Sequence, residues 1–214
     1  MEQKPENNSA LLRGVLGGRP VYSHSCRGLD FFTFPLEIRR LSGTVDRVNL
    51  VLRKELAESL VLGEGDKLQI SGQVRSFNDR SGRGAKLVIS VYVLQLDLAQ
   101  GEDENRIRLS GTLCKPPVLR RTPLGREICD LMLAVNRSCG RSDYLPCICW
   151  GRHAREAADW PVGTRLSLEG RLQSRLYLKQ SPEGTLERTA FEISARSVAP
   201  EAFPETVAPA PVFS

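Results

Sequence analysis

The feature that most constrains this chain is that it repeats itself at an offset of 97–98 residues. Asn8-Ser-Ala-Leu-Leu-Arg-Gly14 lines up with Asn105-Arg-Ile-Arg-Leu-Ser-Gly111. Phe34, Leu36 and Ile38 line up with Leu131, Leu133 and Val135, and Val48, Leu50 and Leu52 with Leu145, Cys147 and Cys149. Gly65-Asp-Lys-Leu-Gln-Ile-Ser-Gly72 lines up with Gly163-Thr-Arg-Leu-Ser-Leu-Glu-Gly170. One near-constant offset across four segments makes the 214 residues two copies of one fold rather than one large domain.

Each copy reads mostly as strands, because apolar and polar residues alternate. In the second copy the runs are Ile107 to Leu113, Leu131 to Val135, Leu145 to Cys149 and Leu166 to Leu172, with a last strand near Thr189–Val198. Between the third and fourth runs, Gly151–Trp160 reads as a short helix ended by Pro161 and Gly163. The first copy repeats the pattern, with its helix at Lys54–Leu62. Five strands with a helix between the third and fourth is the order of an OB-fold, a Greek-key barrel used for oligonucleotides and oligosaccharides. The fold class is therefore all-β: two tandem OB-fold barrels, each with one short helix. The expected boundaries are a first barrel at 1–98, a polar acidic linker at 99–104, a second barrel at 105–198 and a disordered Pro/Ala-rich tail at 199–214.

Charge points to the partner. Residues 105–198 hold 16 basic and 9 acidic side chains, and residues 7–97 hold 13 and 9, so the two barrels carry +7 and +4. Basic folded units suit a polyanion. No apolar run reaches the ~18 residues of a membrane span, and Met1-Glu-Gln-Lys-Pro-Glu-Asn-Asn8 has no apolar core for a secretory signal. The expected compartment is the cytoplasm, with no membrane partner. Cys26, Cys114, Cys129, Cys139, Cys147 and Cys149 form no Cys-x-x-Cys pair, and read as small buried side chains in a reducing compartment. No metal and no cofactor are expected.

The strand phase separates candidate contacts from core. Between Asp143 and Trp150 the core face takes Leu145, Cys147 and Cys149, leaving Tyr144, Pro146, Ile148 and Trp150 outside. Between Leu166 and Tyr177 the outside takes Arg171, Gln173, Arg175 and Tyr177. Two successive strands thus present rings and cations, as stacking on bases and tracking of phosphates require. The alternative at this point is that Trp150 and Tyr177 pack at a barrel end and that the arginines are a solvated face. In the first copy Arg47 and Arg53 replace Tyr144 and Trp150, while Arg75 and Phe77 share the outward phase of its fourth strand. That copy reads either as a phosphate-binding barrel or as a pairing domain. Arg80, Gly82, Arg83, Gly84 and Lys86 read as a basic hairpin, either contacting DNA or a solvated turn.

Residues 105–198 closely resemble the bacterial single-stranded DNA-binding protein family. The resemblance rests on Asn105–Gly111, Arg121-Thr-Pro-Leu-Gly125, Leu133-Ala-Val-Asn-Arg-Ser138, Cys147-Ile-Cys-Trp-Gly151 with Ala154, and Gly163 through Glu169-Gly-Arg-Leu-Gln-Ser-Arg175 to Tyr177. It implies that Tyr144, Trp150 and Tyr177 stack on bases, and that Arg121, Arg137, Arg171 and Arg175 contact phosphates. It also implies assemblies of four OB-folds, which a two-copy chain reaches as a homodimer. Two departures stand out. Ser138–Asp143 is a short hairpin without the family's usual extra aromatic, and Val207–Ser214 keeps Phe213 without the acidic tip that recruits replication and repair proteins.

Enzymatic chemistry is not expected. The only histidines are His24 and His153, with no orienting third group, and there is no P-loop or carboxylate cluster. The leading reading is sequence-tolerant binding of single-stranded DNA in replication, recombination or repair. The alternatives are a primosomal-type replication accessory, or an OB-fold protein-interaction scaffold with weak DNA affinity.

Overall fold

The computed structural model describes residues 7–59, 61–78, 87–181 and 184–201. For residues 176–181, 184 and 186–188 only the backbone is described. The basic hairpin at Arg80–Lys86 and the tail from 202 onward lie outside the described residues.

Six strands and one helix form each half. The first half runs β1 (Asn8–Leu16), β2 (Val21–Cys26), β3 (Leu29–Arg39), β4 (Val45–Arg53), α1 (Lys54–Glu58), β5 (Lys67–Asn78) and β6 (Leu87–Leu98). The second runs β7 (Glu104–Leu113), β8 (Val118–Arg121), β9 (Glu127–Asn136), β10 (Ser142–Trp150), α2 (Arg152–Ala158), β11 (Arg165–Ser181) and β12 (Gly184–Pro200). The sheet order is β2-β3-β4-β6-β5-β1-β7-β11-β12-β10-β9-β8, so the second half retraces the first in reverse. Each half closes through β1–β3 or β7–β9, and each has one parallel pair, β4–β6 or β10–β12. These are two tandem OB-folds.

Two strands go beyond the sequence expectation. β2 and β8 pair with β3 and β9 and flank the sheet at either end. Both are solvent-exposed along their whole length, so neither shows the one-sided alternation that marks a half-buried strand. The first helix is shorter than Lys54–Leu62, ending at Glu58. β7 begins at Glu104, which places that residue in a strand rather than in the linker. The core follows the predicted trios: Phe34, Leu36, Ile38, Val48, Leu50 and Leu52 are buried, as are Leu131, Leu133, Val135, Leu145, Cys147 and Cys149. Of the six cysteines only Cys129, Cys147 and Cys149 are buried, while Cys26 and Cys139 are exposed and Cys114 is intermediate. Burial pushes the Cys149 thiol up to about 12.

The repeated glycines mark where strands approach most closely. A Cβ at Gly72 would run into the Tyr92 carbonyl oxygen, and one at Gly170 into that of Ser194. Both sit at the register shift where the facing strand, β6 or β12, carries one extra residue, Leu94 or Arg196, and bends. Gly170→Ala is expected to cost about 2–3 kcal/mol in urea unfolding, since backbone must move to admit the methyl. Gly18→Ala, whose new methyl would meet nothing closer than 3.8 Å, is expected to stay within about 0.5 kcal/mol of wild type. Equal effects of the two would contradict this reading of the bends.

Candidate nucleic-acid interface

The barrels are joined by β1 and β7, which pair antiparallel from Asn8↔Leu109 to Arg13↔Glu104. Ala10 and Ile107, equivalent in the repeat, face each other, so a pseudo-twofold axis passes between them. Repeat-equivalent side chains bracket the joint. Asn8 Nδ2 donates to the Val74 carbonyl at 2.8 Å, and the Val74 amide donates to Asn8 Oδ1 at 2.9 Å. Asn105 does the same with Leu172, at 2.7 and 2.9 Å.

Two buried carboxylates complete the seam. Asp143 accepts from the Ser76 amide at 2.6 Å, and Asp46 accepts from the Ser174 amide at 3.3 Å. Each carboxylate therefore belongs to one barrel and caps a strand of the other. Arg40 pairs with Asp46, and Arg137 with Asp143. Arg137 also donates to the Ser76 carbonyl at 3.1 Å, and Arg75 reaches Asp143 at 3.0 Å. Arg75 and Arg137, expected as phosphate contacts, are both half-buried and engaged by the seam carboxylate. The Asp143 hydrogen bond holds the Arg137 guanidinium above its ordinary range, against a smaller opposing effect of burial.

The outward faces lie to either side of this seam. On the second barrel, Tyr144 and Trp150 are 51% and 36% exposed. The Trp150 indole N–H donates to Ser194 Oγ at 3.2 Å, which fixes the ring against β12. Ser194 is also the register partner of Arg171. Arg175, four residues on, is exposed. The structure brings Tyr144, Trp150, Arg171 and Arg175 onto one face. Ile148, expected outside with them, is buried beneath it. Tyr177 is in β11 opposite Arg188, but its side chain lies outside the described residues. Arg121 stands apart on β8, 3.4 Å from Glu127.

On the first barrel, Arg47 and Arg53 are exposed on β4, and Phe77 is 53% exposed on β5. The Arg47 amide donates to Ser174 Oγ at 3.2 Å, so Arg47 adjoins the second barrel's β11. Arg53 Nε donates to the Tyr92 hydroxyl at 3.0 Å. Tyr92 pairs with Val51 just as Ser194 pairs with Ile148, so it occupies Ser194's position. Ring and polar partner have changed places: tryptophan and serine in one barrel, arginine and tyrosine in the other. Phe31 lies across from Arg53, with its ring centroid 6.4 Å from Tyr92 and stacked on His24 at 4.9 Å. The sequence reading missed His24, Phe31 and Tyr92. His24 lies in the exposed strand β2 and Phe31 faces it from β3, where no alternation marks a phase, while Tyr92 lies in the last strand of its barrel.

No helix among the described residues is long and apolar enough to cross a membrane. Residues 104–200 match the model of the "Single-strand binding protein family". Among curated relatives, single-stranded DNA-binding protein A of Bacillus subtilis is 35% identical over 101 residues, covering 44% of this chain and 57% of that protein. Single-stranded DNA-binding protein 2 of Listeria innocua is 36% identical over 80 residues, covering 34% and 50%. The chain spans about half the length of the curated relatives it matches. The wild-type single-stranded DNA-binding protein from Thermus aquaticus superposes over 94% of this chain and 96% of that one, with a TM-score of 0.77 and 23% identity. That likeness covers both barrels and concerns the fold.

Removing the Asp143 carboxylate leaves two arginines and a strand amide facing one another at the seam. Asp143→Ala is expected to lower unfolding free energy by about 3 kcal/mol, measured in urea. A loss below about 0.5 kcal/mol, the size of an ordinary surface change, would contradict the seam assignment.

Proposed function

We propose that this chain binds single-stranded DNA with little regard to sequence, by base stacking and phosphate contact, in replication, recombination or repair. The observation that carries this is the pair of exposed rings, Tyr144 and Trp150, on a sheet face shared with Arg171 and Arg175. Rings of this kind accept any base, and cations beside them neutralise the backbone. The names of the relatives, all single-stranded DNA-binding proteins, support the same reading. Tyr177 belongs to this set by its phase on β11, and Arg121 supplies a phosphate contact at the sheet end.

The first barrel takes part through Arg47, Arg53 and Phe77, joined by Phe31 and Tyr92. The first barrel, up to residue 98, and the second, from Glu104 to Pro200, act as the two binding units, with 99–103 linking them. A homodimer with four OB-folds follows from the family likeness, and the cytoplasm is the place of action. Sedimentation at micromolar concentration is expected to give twice the 23.7 kDa chain mass; a single monomer would remove the dimer.

Titration with oligo-dT at low salt is expected to quench Trp150 emission, Trp160 being packed against the core. Trp150→Ala and Tyr144→Ala are each expected to weaken binding by about 5- to 150-fold, for ~1–3 kcal/mol per lost stack. Phe31→Ala with Tyr92→Ala is expected to weaken binding of long oligonucleotides more than that of short ones. Unchanged emission and unchanged affinity in the Trp150 and Tyr144 variants would refute the proposal and favour an interaction scaffold.

A further inference from the structure

The two seams related by the pseudo-twofold axis differ in how their charges are satisfied. At one, Asp143 receives both Arg75 and Arg137. At the other, Asp46 receives, among the described residues, the one arginine Arg40, because the residue equivalent to Arg75 is Gln173, which is buried and bonded to Glu192 at 2.7 Å. The arginine there is Arg171, at the position equivalent to Gln73. Its one described hydrogen bond goes to Gln173 at 3.3 Å, and its Nε is buried with no partner among the described residues.

This second seam opens into a groove of about 920 Å³. Arg40, Arg171 and Arg196 line it together with Asp46. Arg196 sits at the β12 register shift opposite Glu169/Gly170, where the other barrel carries the half-exposed Leu94. The other carboxylates on the wall are largely engaged: Asp103 with Lys67 at 2.7 Å, Glu104 with Arg106 at 3.3 Å, and Glu169 with Arg108 at 2.9 Å. Glu102 is exposed at the rim. Burial and the neighbouring charges of Arg40 and Arg196 push the Arg171 guanidinium below its ordinary range. Arg196 also faces Glu169, while Arg171 is a half-buried guanidinium of the wall with no carboxylate of its own among the described residues, which is an arrangement an anion relieves.

We propose that this groove binds phosphodiester groups of a single DNA strand leaving Trp150, with Arg171 and Arg196 as the ligands and Arg40 as the fixed cation behind them. The inference rests on the reading of the chain as a single-strand binder. The path is short: Trp150 bonds to Ser194, Ser194 is paired with Arg171, and Arg171 lines the groove. Across the groove lie Arg39 and Arg40, at the end of the first barrel's β3. The strand is thereby led over one seam of the two, giving the pseudosymmetric chain a direction.

The test is the full-length R171Q/R196L variant, which installs the residues found at the other seam. Its affinity for a long oligo-dT is compared with wild type over a range of salt. Two lost phosphate contacts are expected to lower the slope of log K against log salt by about 1.4, at about 0.7 per single-strand phosphate, with Trp150 quenching at saturation retained. R196L alone, at an exposed position, is expected to give about half that change. R152Q/R165Q, which removes the same charge away from the groove, is expected to leave the slope unchanged. Coincident slopes for wild type and R171Q/R196L would overturn the proposal. So would inorganic pyrophosphate raising the melting temperature of wild type but not of the variant while those slopes coincide, which would make the groove a free-anion site. Failure of the general single-strand reading shows separately, as absent oligo-dT binding by the wild type at low salt.

Discussion

The β1–β7 pairing is the constraint on which the rest depends. It joins the two barrels edge to edge, with Ala10 against its own repeat-equivalent, Ile107. Homodimers made by one patch meeting itself have this self-complementary geometry, and here the two patches lie on one chain. The backbone hydrogen bonds alone do not fix the angle between barrels. Asn8 and Asn105 each hold the joining strand to its own barrel, and it is Asp46 and Asp143 that cross, each capping an amide of the other barrel. A buried carboxylate is costly unless its partners are all in place. The seam is therefore specific to one arrangement, and that arrangement sets both outward faces on the same assembly.

The candidate contact residues sit where this frame leaves side chains exposed. Arginine shows the division most clearly. Arg75 and Arg137 are consumed by Asp143, whereas Arg47 and Arg175 have no ion pair with a described residue and Arg171 lacks a carboxylate of its own. Side-chain type does not separate these roles. The placement of one buried carboxylate does. The aromatic residues divide in the same manner: Phe34 fills the core, while Tyr144 and Trp150 stand exposed beside cations.

Much of this was legible in the sequence, because repeat and alternation are both periodic signals. The core trios, the paired glycines and the outward phase of Tyr144 and Trp150 follow from counting by two and by 97. The unread parts share a cause. β2 and β8 are sheet-edge strands exposed on both faces, so they carry no alternation. The seam joins residues 67 positions apart, Ser76 and Asp143, through an acid and an arginine that a charge count records as solvated. The repeat did contain the clue: Arg40 and Asp46 recur as Arg137 and Asp143, an ion pair duplicated with its fold. The ring exchange between Trp150 and Tyr92 was hidden because the partner strand, not the matching one, carries the aromatic in the first barrel.

The central claim is that both outward faces of one rigidly joined pair of barrels form a single strand-binding surface. Photo-crosslinking of an oligo-dT carrying 5-iodouracil at many positions, followed by mapping of the modified residues, tests it directly. The account predicts adducts at Tyr144 and Trp150 in the second barrel and at Phe31, Tyr92 or Phe77 in the first. Adducts confined to one barrel, or spread over the core-capping helices instead of these rings, would contradict it.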